Sequence, residues 1–220
     1  MVAAPAPMMA VPGRPPDHAD WAIEMKWDGV RAIIICDPDG CRLYSRNRRE
    51  ITGSYPELAA TLTDLADGRE LILDGEIIAQ TSTGAPSFGL LQQRMHVLRP
   101  SKQLIAAVPV QLFLLDILTD SGDPLTALPY LKRRDRLQGL ELTPAPVQTP
   151  PHWTGIDAEQ LIAAARENHL EGIVSKRIDS TYQPGRRSHA WIKPRYARPP
   201  KRSSSAGPPK TAPCPRYSDH

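Results

Sequence analysis

The sequence predicts an α+β fold, antiparallel sheets flanked by helices. Three observations carry that prediction. Short apolar runs rich in β-branched residues recur along the 220 residues. Turn signals of the Asp-Gly kind join some of them as hairpins. Stretches with helical spacing fall between the runs, but without the regular alternation that a doubly wound sheet requires.

In chain order, residues 1–20 are rich in Pro and Ala and read as an irregular lead-in. Trp21 to Lys26 reads as a strand. Arg31 to Cys36 and Cys41 to Ser45 form a hairpin around Asp37-Pro38-Asp39-Gly40. Ser54-Tyr55-Pro56-Glu57 has capping-box spacing and an early proline, so a helix should follow, with Leu58, Leu62 and Leu65 on one face. Leu71 to Ala79 is a strand interrupted by Asp74-Gly75-Glu76, and Ser87 to His96 a short helix. Val108 to Leu118 is a long apolar strand that ends at the Asp120-Ser121-Gly122-Asp123 turn. Leu128 to Leu140 is a basic amphipathic helix. Asp157 to Asn168 is another helix, with Asp157 and Gln160 at capping-box spacing. Gly172 to Lys176 and Ala190 to Lys193 are late strands. Residues 21–196 thus form one folded domain, and residues 197–220, rich in Pro, Ser, Lys and Arg, a disordered tail.

Net charge is +3, unevenly spread. From Arg177 onward ten Lys and Arg face only Asp179 and Asp219, which suits a polyanionic partner. Cys36, Cys41 and Cys214 form no C-x-x-C pair. Cys36 and Cys41 read as structural thiols beside a hairpin turn, and so sparse a count points to a reducing compartment. There is no signal-peptide pattern and no apolar run of membrane-spanning length, so a cytoplasmic, nucleoid-associated protein is expected.

Chemistry concentrates in Glu24-Met25-Lys26-Trp27-Asp28-Gly29-Val30-Arg31. A lysine at a strand end, beside an apolar ring and among other cations, can lose its proton and become a nucleophile. Against this stands an ordinary strand-turn-strand with Lys26 in water. Asp74 and Glu76 place two carboxylates in an apolar strand, which is costly unless they pair, bind metal or accept hydrogen bonds; alternatively Asp74 caps a turn and Glu76 points outward. Glu171 and Lys176 bracket a later strand. Separated carboxylates suit Mg²⁺, which takes one or two of them together with substrate phosphate oxygens. Lys193 and Arg195 share one side of an extended segment, where two cations can meet charge on a transferring phosphate.

Taken in this order, the motifs resemble the nucleotidyltransferase (adenylation) domain of ATP-dependent DNA ligases, above all the bacterial ligases of end joining and repair. The resemblance runs from Pro7 to Arg195. Glu24–Arg31 is similar to the family's E-x-K-x-D-G-x-R nucleophile motif. Ser45-Arg46-Asn47, Asp74-Gly75-Glu76, Val110–Leu118, Glu171–Lys176 and Trp191–Arg195 resemble the motifs that follow, and Ser87–Met95 the connecting segment of the bacterial enzymes. The resemblance implies that Lys26 attacks the α-phosphorus of ATP, expels pyrophosphate and becomes lysyl-AMP. Glu24 would lie on the adenine side, with Asp28 of the same motif in the ATP site. Arg31 and Arg46 would contact ribose and phosphate. Glu76 would hold ribose or metal, and Glu171 a divalent metal, Mg²⁺ or Mn²⁺. Lys193, with Lys176, would grip the α-phosphate, and Arg187 and Arg195 would touch the nucleotide. AMP would then pass to a DNA 5′-phosphate and a 3′-hydroxyl would seal the nick.

Two departures stand out. Leu115 occupies the position before Asp116 where the family carries an aromatic residue stacked on the base; Phe113 sits two residues back on the same side of the strand. The family's OB-fold domain has no counterpart after Arg195, which suggests slow lysine adenylation and weak DNA grip; the chain is then either an adenylation-only protein served by a separate OB-fold or repair protein, or a fragment or decayed gene product. No membrane partner and a monomer are expected. The competing readings are a non-catalytic or partner-dependent DNA-end-binding module, and an RNA ligase or capping-type nucleotidyltransferase.

Overall fold

The computed structural model describes residues 3–16, 19–142 and 145–194. The tail expected over residues 197–220, and with it Cys214, lies outside the described residues, as does Arg195.

Among the described residues, eleven strands and five helices follow in the order β1 (Met9–Pro12), β2 (Trp21–Lys26), β3 (Val30–Asp37), β4 (Gly40–Ser45), α1 (Pro56–Ala66), β5 (Leu71–Ala79), α2 (Phe88–Gln92), α3 (Lys102–Ala107), β6 (Val110–Asp120), β7 (Asp123–Pro124), α4 (Tyr130–Gln138), β8 (Val147–Gln148), β9 (His152–Thr154), α5 (Ala158–Glu167), β10 (Gly172–Arg177) and β11 (Arg187–Lys193). A short 3₁₀ turn at Thr52–Ser54 precedes α1. The strands form two sheets. The first runs β1-β11-β10-β2-β9, and the second β4-β3-β5-β6-β7 with β8 beside β6. Pairing is antiparallel except for β1 with β11 and β8 with β6. The α+β class read from the sequence is the one observed.

Alternation along β3 sorts its side chains between two cores. Ala32, Ile34 and Cys36 face α1 and pack with Leu58 and Leu62. Ile33 and Ile35 face the other sheet and pack with Leu118, Tyr182, Trp191 and Met8. A third core seats α5 on the first sheet through Ile23, Ile173, Leu161, Ile162 and Ala165. The sheets therefore lie face to face with a helix on each outer side, and the cleft opens between them.

The nucleophile motif is the crossover from one sheet to the other. Lys26 ends β2 in the first sheet, and Val30 starts β3 in the second. The connection is tight: a Cβ on Gly29 would stand 2.2 Å from the carbonyl oxygen of Ile77, so only glycine fits.

Several expectations need correction. The lead-in is not wholly irregular, because Met9–Pro12 pairs with β11. The Ser54–Glu57 capping box does not form: Tyr55 is the N-cap without a side-chain bond, Pro56 opens the helix, and Glu57 turns to Arg94. Asp157 does cap α5, accepting from the Glu159 N–H at 3.0 Å. β5 is not interrupted by Asp74-Gly75-Glu76; it runs on, with only its register to β6 shifting there. Cys36 and Cys41 are not free thiols but are joined as a disulfide across the hairpin, at positions that β3 and β4 bring directly opposite. Among the described residues, no helix is long and apolar enough to cross a membrane.

Candidate active site

A cleft of about 870 Å³ lies between the two sheets. Nine of the residues proposed from sequence line it: Glu24, Lys26, Arg31, Arg46, Glu76, Leu115, Lys176, Arg187 and Lys193. Strand register explains the gathering. β2 and β10 pair antiparallel with Lys26 opposite Gly172, so Glu171, one residue earlier, reaches the lysine. The Lys26 Nζ and a Glu171 carboxylate oxygen form an ion pair at the half-open floor of the cleft. Asp28 is exposed in the crossover turn, away from that lining.

The second sheet supplies the opposite wall. Arg31 pairs with Glu76 in the β3–β5 register. Its guanidinium forks onto Asp74 at 2.6 and 2.7 Å and stands 3.9 Å from Glu76. Asp74, fully buried, also accepts from the Tyr182 hydroxyl at 2.6 Å. It therefore neither caps a turn nor binds metal; it aims Arg31. Glu76 has no such strong partner. Burial, helped by the neighbouring carboxylates of Asp74 and Glu171 and opposed by Arg31 and Lys26, pushes its carboxyl up to about 7.

Strand β6 places Leu115 by an irregularity. Gly75 pairs with Leu114 and Asp74 with Asp116, so Leu115 is the extra residue of a bulge. The bulge reverses alternation: Leu112 and Leu114 face the α1 core before it, and Ile117 after it. Leu115 is thereby turned to the cleft. Phe113 does not substitute for a stacking residue there, because its ring packs edge-on against Trp27 at 4.5 Å.

Behind Leu115 lies a buried charge network. Glu24, 4 % exposed, meets the Lys176 Nζ at 2.7 Å, accepts from the Tyr130 hydroxyl and lies 3.9 Å from Arg134. Burial raises the Glu24 carboxyl, but Lys176 and Arg134 outweigh it and hold the group below the usual carboxylate range. Burial lowers the pKa of Lys176, against the pull of Glu24. The Lys176 ammonium is 4.3 Å from the Trp191 ring centre and 5.0 Å from that of Tyr130. Lys176 is thus paired with Glu24, in the same cleft lining as Lys193. Tyr130, Arg134 and Tyr182 were not singled out from sequence; the carboxylates that Tyr130 and Tyr182 bond lie 106 and 108 positions away.

The N-terminal strand completes the wall. Arg187 donates to the Ala10 carbonyl at 2.8 Å, and Arg46 lies against the Met9 sulfur. Arginines from two distant segments are thereby held at the mouth.

Among the described residues no cluster of three or more His, Cys, Asp or Glu could enclose a metal. Glu76 and Glu171 nonetheless fit a hard cation. Glu171 raises the cost of charge on Glu76, and two carboxylates completed by phosphate oxygens are what Mg²⁺ accepts.

Comparison with known proteins shows the family. Residues 7–195 match the family described as ATP dependent DNA ligase domain. Over 190 residues the chain is 38 % identical to the multifunctional non-homologous end joining protein LigD of Mycolicibacterium smegmatis, covering 86 % of this chain and 23 % of that protein. It is 31 % identical to the SPbeta prophage-derived DNA ligase-like protein LigB of Bacillus subtilis, covering 81 % and 62 % respectively. A structure of mycobacterial DNA ligase D complexed with ATP and MES superposes with a TM-score of 0.75 at 35 % identity, over 87 % of this chain and 60 % of that one. The fold is that of the DNA ligase nucleotidyltransferases. The chain belongs to the ATP-dependent DNA ligase domain family, and spans about a quarter of the length of the LigD proteins it matches.

Proposed function

We propose that this chain is the adenylation module of an ATP-dependent DNA ligase that acts in DNA repair and recombination, with its domain spanning residues 21–196 and β1 added to it. The observation that carries this reading is the position of Lys26. It stands at the sheet-to-sheet crossover, on the cleft floor, in contact with Glu171 and facing walls that bear Arg31, Arg46, Arg187 and Lys193. Its Nζ, freed of a proton, forms a bond to the α-phosphorus of ATP as the bond to the β-phosphate oxygen breaks and pyrophosphate leaves. The cationic walls meet the charge that develops on the phosphoryl oxygens. Leu115 covers the base by apolar contact, and the acceptor-only carboxylate of Glu24 lies at the same end. Glu76 and Glu171 would hold Mg²⁺ or Mn²⁺, which neutralises phosphate charge when bound. AMP then passes to a DNA 5′-phosphate and a 3′-hydroxyl displaces it. The partner is nicked or broken duplex DNA. The protein acts as a monomer in the cytoplasm, at the nucleoid and without a membrane.

The test is incubation with α-labelled ATP and Mg²⁺ or Mn²⁺, followed by a denaturing gel and peptide mass spectrometry. An AMP adduct on Lys26, absent from Lys26→Ala, is expected. An adduct on Lys26→Ala would show that the nucleophile lies elsewhere, and folded protein that takes no label would refute the catalytic reading.

A further inference from the structure

Beyond Arg46 the cleft continues into a second end that the adenylation chemistry does not use. Its walls are the loop that carries Arg49 and Ile51 and the loop after α2 that carries Met95, His96 and Leu98. Both are held in place. The Arg99 N–H donates to the Gly53 carbonyl at 2.8 Å, which ties one loop to the other. Arg94, wholly buried, donates to the Ser54 and Val108 carbonyls at 2.8 and 3.1 Å and pairs with Glu57 at 2.8 Å. His96 and Arg99 adopt left-handed φ of 67° and 54°, which turns the intervening Leu98 outward. Leu98 is 72 % exposed, the most exposed large apolar side chain among the described residues.

The two segments that form this end are predominantly basic. Residues 45–55 carry exposed Arg46, Arg48 and Arg49 against Glu50 alone, and residues 95–102 carry exposed Arg99 and Lys102 with no acid. An apolar finger on a fixed loop, on a rim whose two segments are rich in exposed cations, complements a polyanion with apolar surface inside it. Duplex nucleic acid is such a ligand: its phosphates meet the cations, and an apolar side chain enters where stacking is interrupted. A strand break is where stacking is weakest, and this rim is continuous with the Lys26 cleft.

The geometry points to this rim as the seat of the broken strand of a nicked DNA duplex, with Leu98 packed on the terminal nucleotide at the break and Arg48 and Arg99 on the flanking phosphates. The assignment rests on the ligase reading of the cleft and adds to it the residue that senses the break.

The experiment uses the full chain with a nicked duplex that carries 2-aminopurine at the 3′ side of the nick, and an intact duplex of the same sequence. The parent is expected to prefer the nicked duplex and to raise 2-aminopurine emission. Leu98→Gln should lose that rise and bind the nicked duplex about tenfold more weakly, about 1.4 kcal/mol. Its binding to intact duplex, lysine adenylation and melting temperature should be unchanged, since Leu98 lies outside the core. Arg48→Gln with Arg99→Gln should flatten the slope of log K against log salt by about 2. If Leu98→Gln keeps the parental emission and affinity, or the parent shows no preference for the nick, the seat is refuted. A parent that forms lysyl-AMP while Leu98→Gln changes nothing keeps the ligase reading and loses this one. A parent that forms no lysyl-AMP, yet prefers the nick through Leu98, keeps the seat and loses the catalytic reading.

Discussion

At the scale of single residues, two side chains separate what spacing can show from what burial decides. Glu76 was legible as a carboxylate out of place in an apolar strand. Its protonation was not, because that depends first on burial between the two sheets, with Asp74 on the same strand and Glu171 from the other sheet adding to it. With its carboxyl pushed up to about 7 from 4.5, the folded state binds a proton that the unfolded chain releases at lower pH. Its contribution to stability is therefore complete below about 4.5 and lost as pH rises through about 7. Glu76→Gln should flatten that slope, gaining on the order of 3 kcal/mol over the parent at pH 8 relative to pH 4. Melting temperature across pH 4–8 for both proteins is the measurement; parallel curves would show that the carboxyl is not raised. Mg²⁺ above pH 7 should restore the parent alone. Leu115 is the second case. Sequence shows an aliphatic residue where the family stacks a ring, and the bulge in β6 confirms that this side chain faces the cleft. Leu115→Phe should tighten ATP binding about threefold to tenfold, the size of one aromatic contact at about 0.5–1.5 kcal/mol. Calorimetric titration with ATP checks it, and an unchanged affinity would place the base elsewhere.

At the scale of elements, legibility follows the range of the interactions that make each element. β2, the β3–β4 hairpin, β5 and α5 carry their own signals, alternation or helical period closed by turn and cap residues, and were read nearly to the residue. β1 was missed because what makes Met9–Pro12 a strand is its pairing with β11, far along the chain, against a proline-rich local signal. α3, a helix of six residues, and β8 and β9, of two and three, are too short to show a period. The crossover between β2 and β3 is the element on which the proposed catalysis hangs. Its Asp-Gly pair looked like an ordinary turn, yet Gly29 is required by the backbone of β5 rather than by the turn itself. Gly29→Ala should drive a methyl into the Ile77 carbonyl, cost on the order of 3 kcal/mol in urea unfolding, and displace Lys26 enough to lose the AMP adduct. A variant of parental stability would show that the strands do not approach so closely.

At the scale of the whole molecule, the cleft joins groups from both sheets, so its geometry depends on how the sheets are locked together. Lys26, Glu171 and Lys193 belong to the first sheet side, and Arg31, Glu76 and Leu115 to the second. Between them runs a buried polar seam. Asp116 takes both arms of Arg133 at 2.8 and 2.9 Å; Arg133 also donates to the Ser180 carbonyl at 2.9 Å, and Tyr182 reaches Asp74. Both Asp116 and Arg133 are wholly buried. None of this was visible in sequence, where Asp116 only marked a motif and Arg133 was one cation on a basic helix. A buried pair adds little net stability compared with apolar residues, but removing one partner strands the other's charge. Asp116→Ala should therefore cost about 3–5 kcal/mol in urea unfolding, while Asp116→Leu with Arg133→Met should recover most of it. The two variants should differ in stability yet agree in function: both lose the seam's directional bonds, so both should form lysyl-AMP more slowly than the parent at a temperature where each is fully folded. If the double variant labels at the parental rate, the seam serves stability alone, and the register of Lys26 against Arg31 is set by the Gly29 crossover.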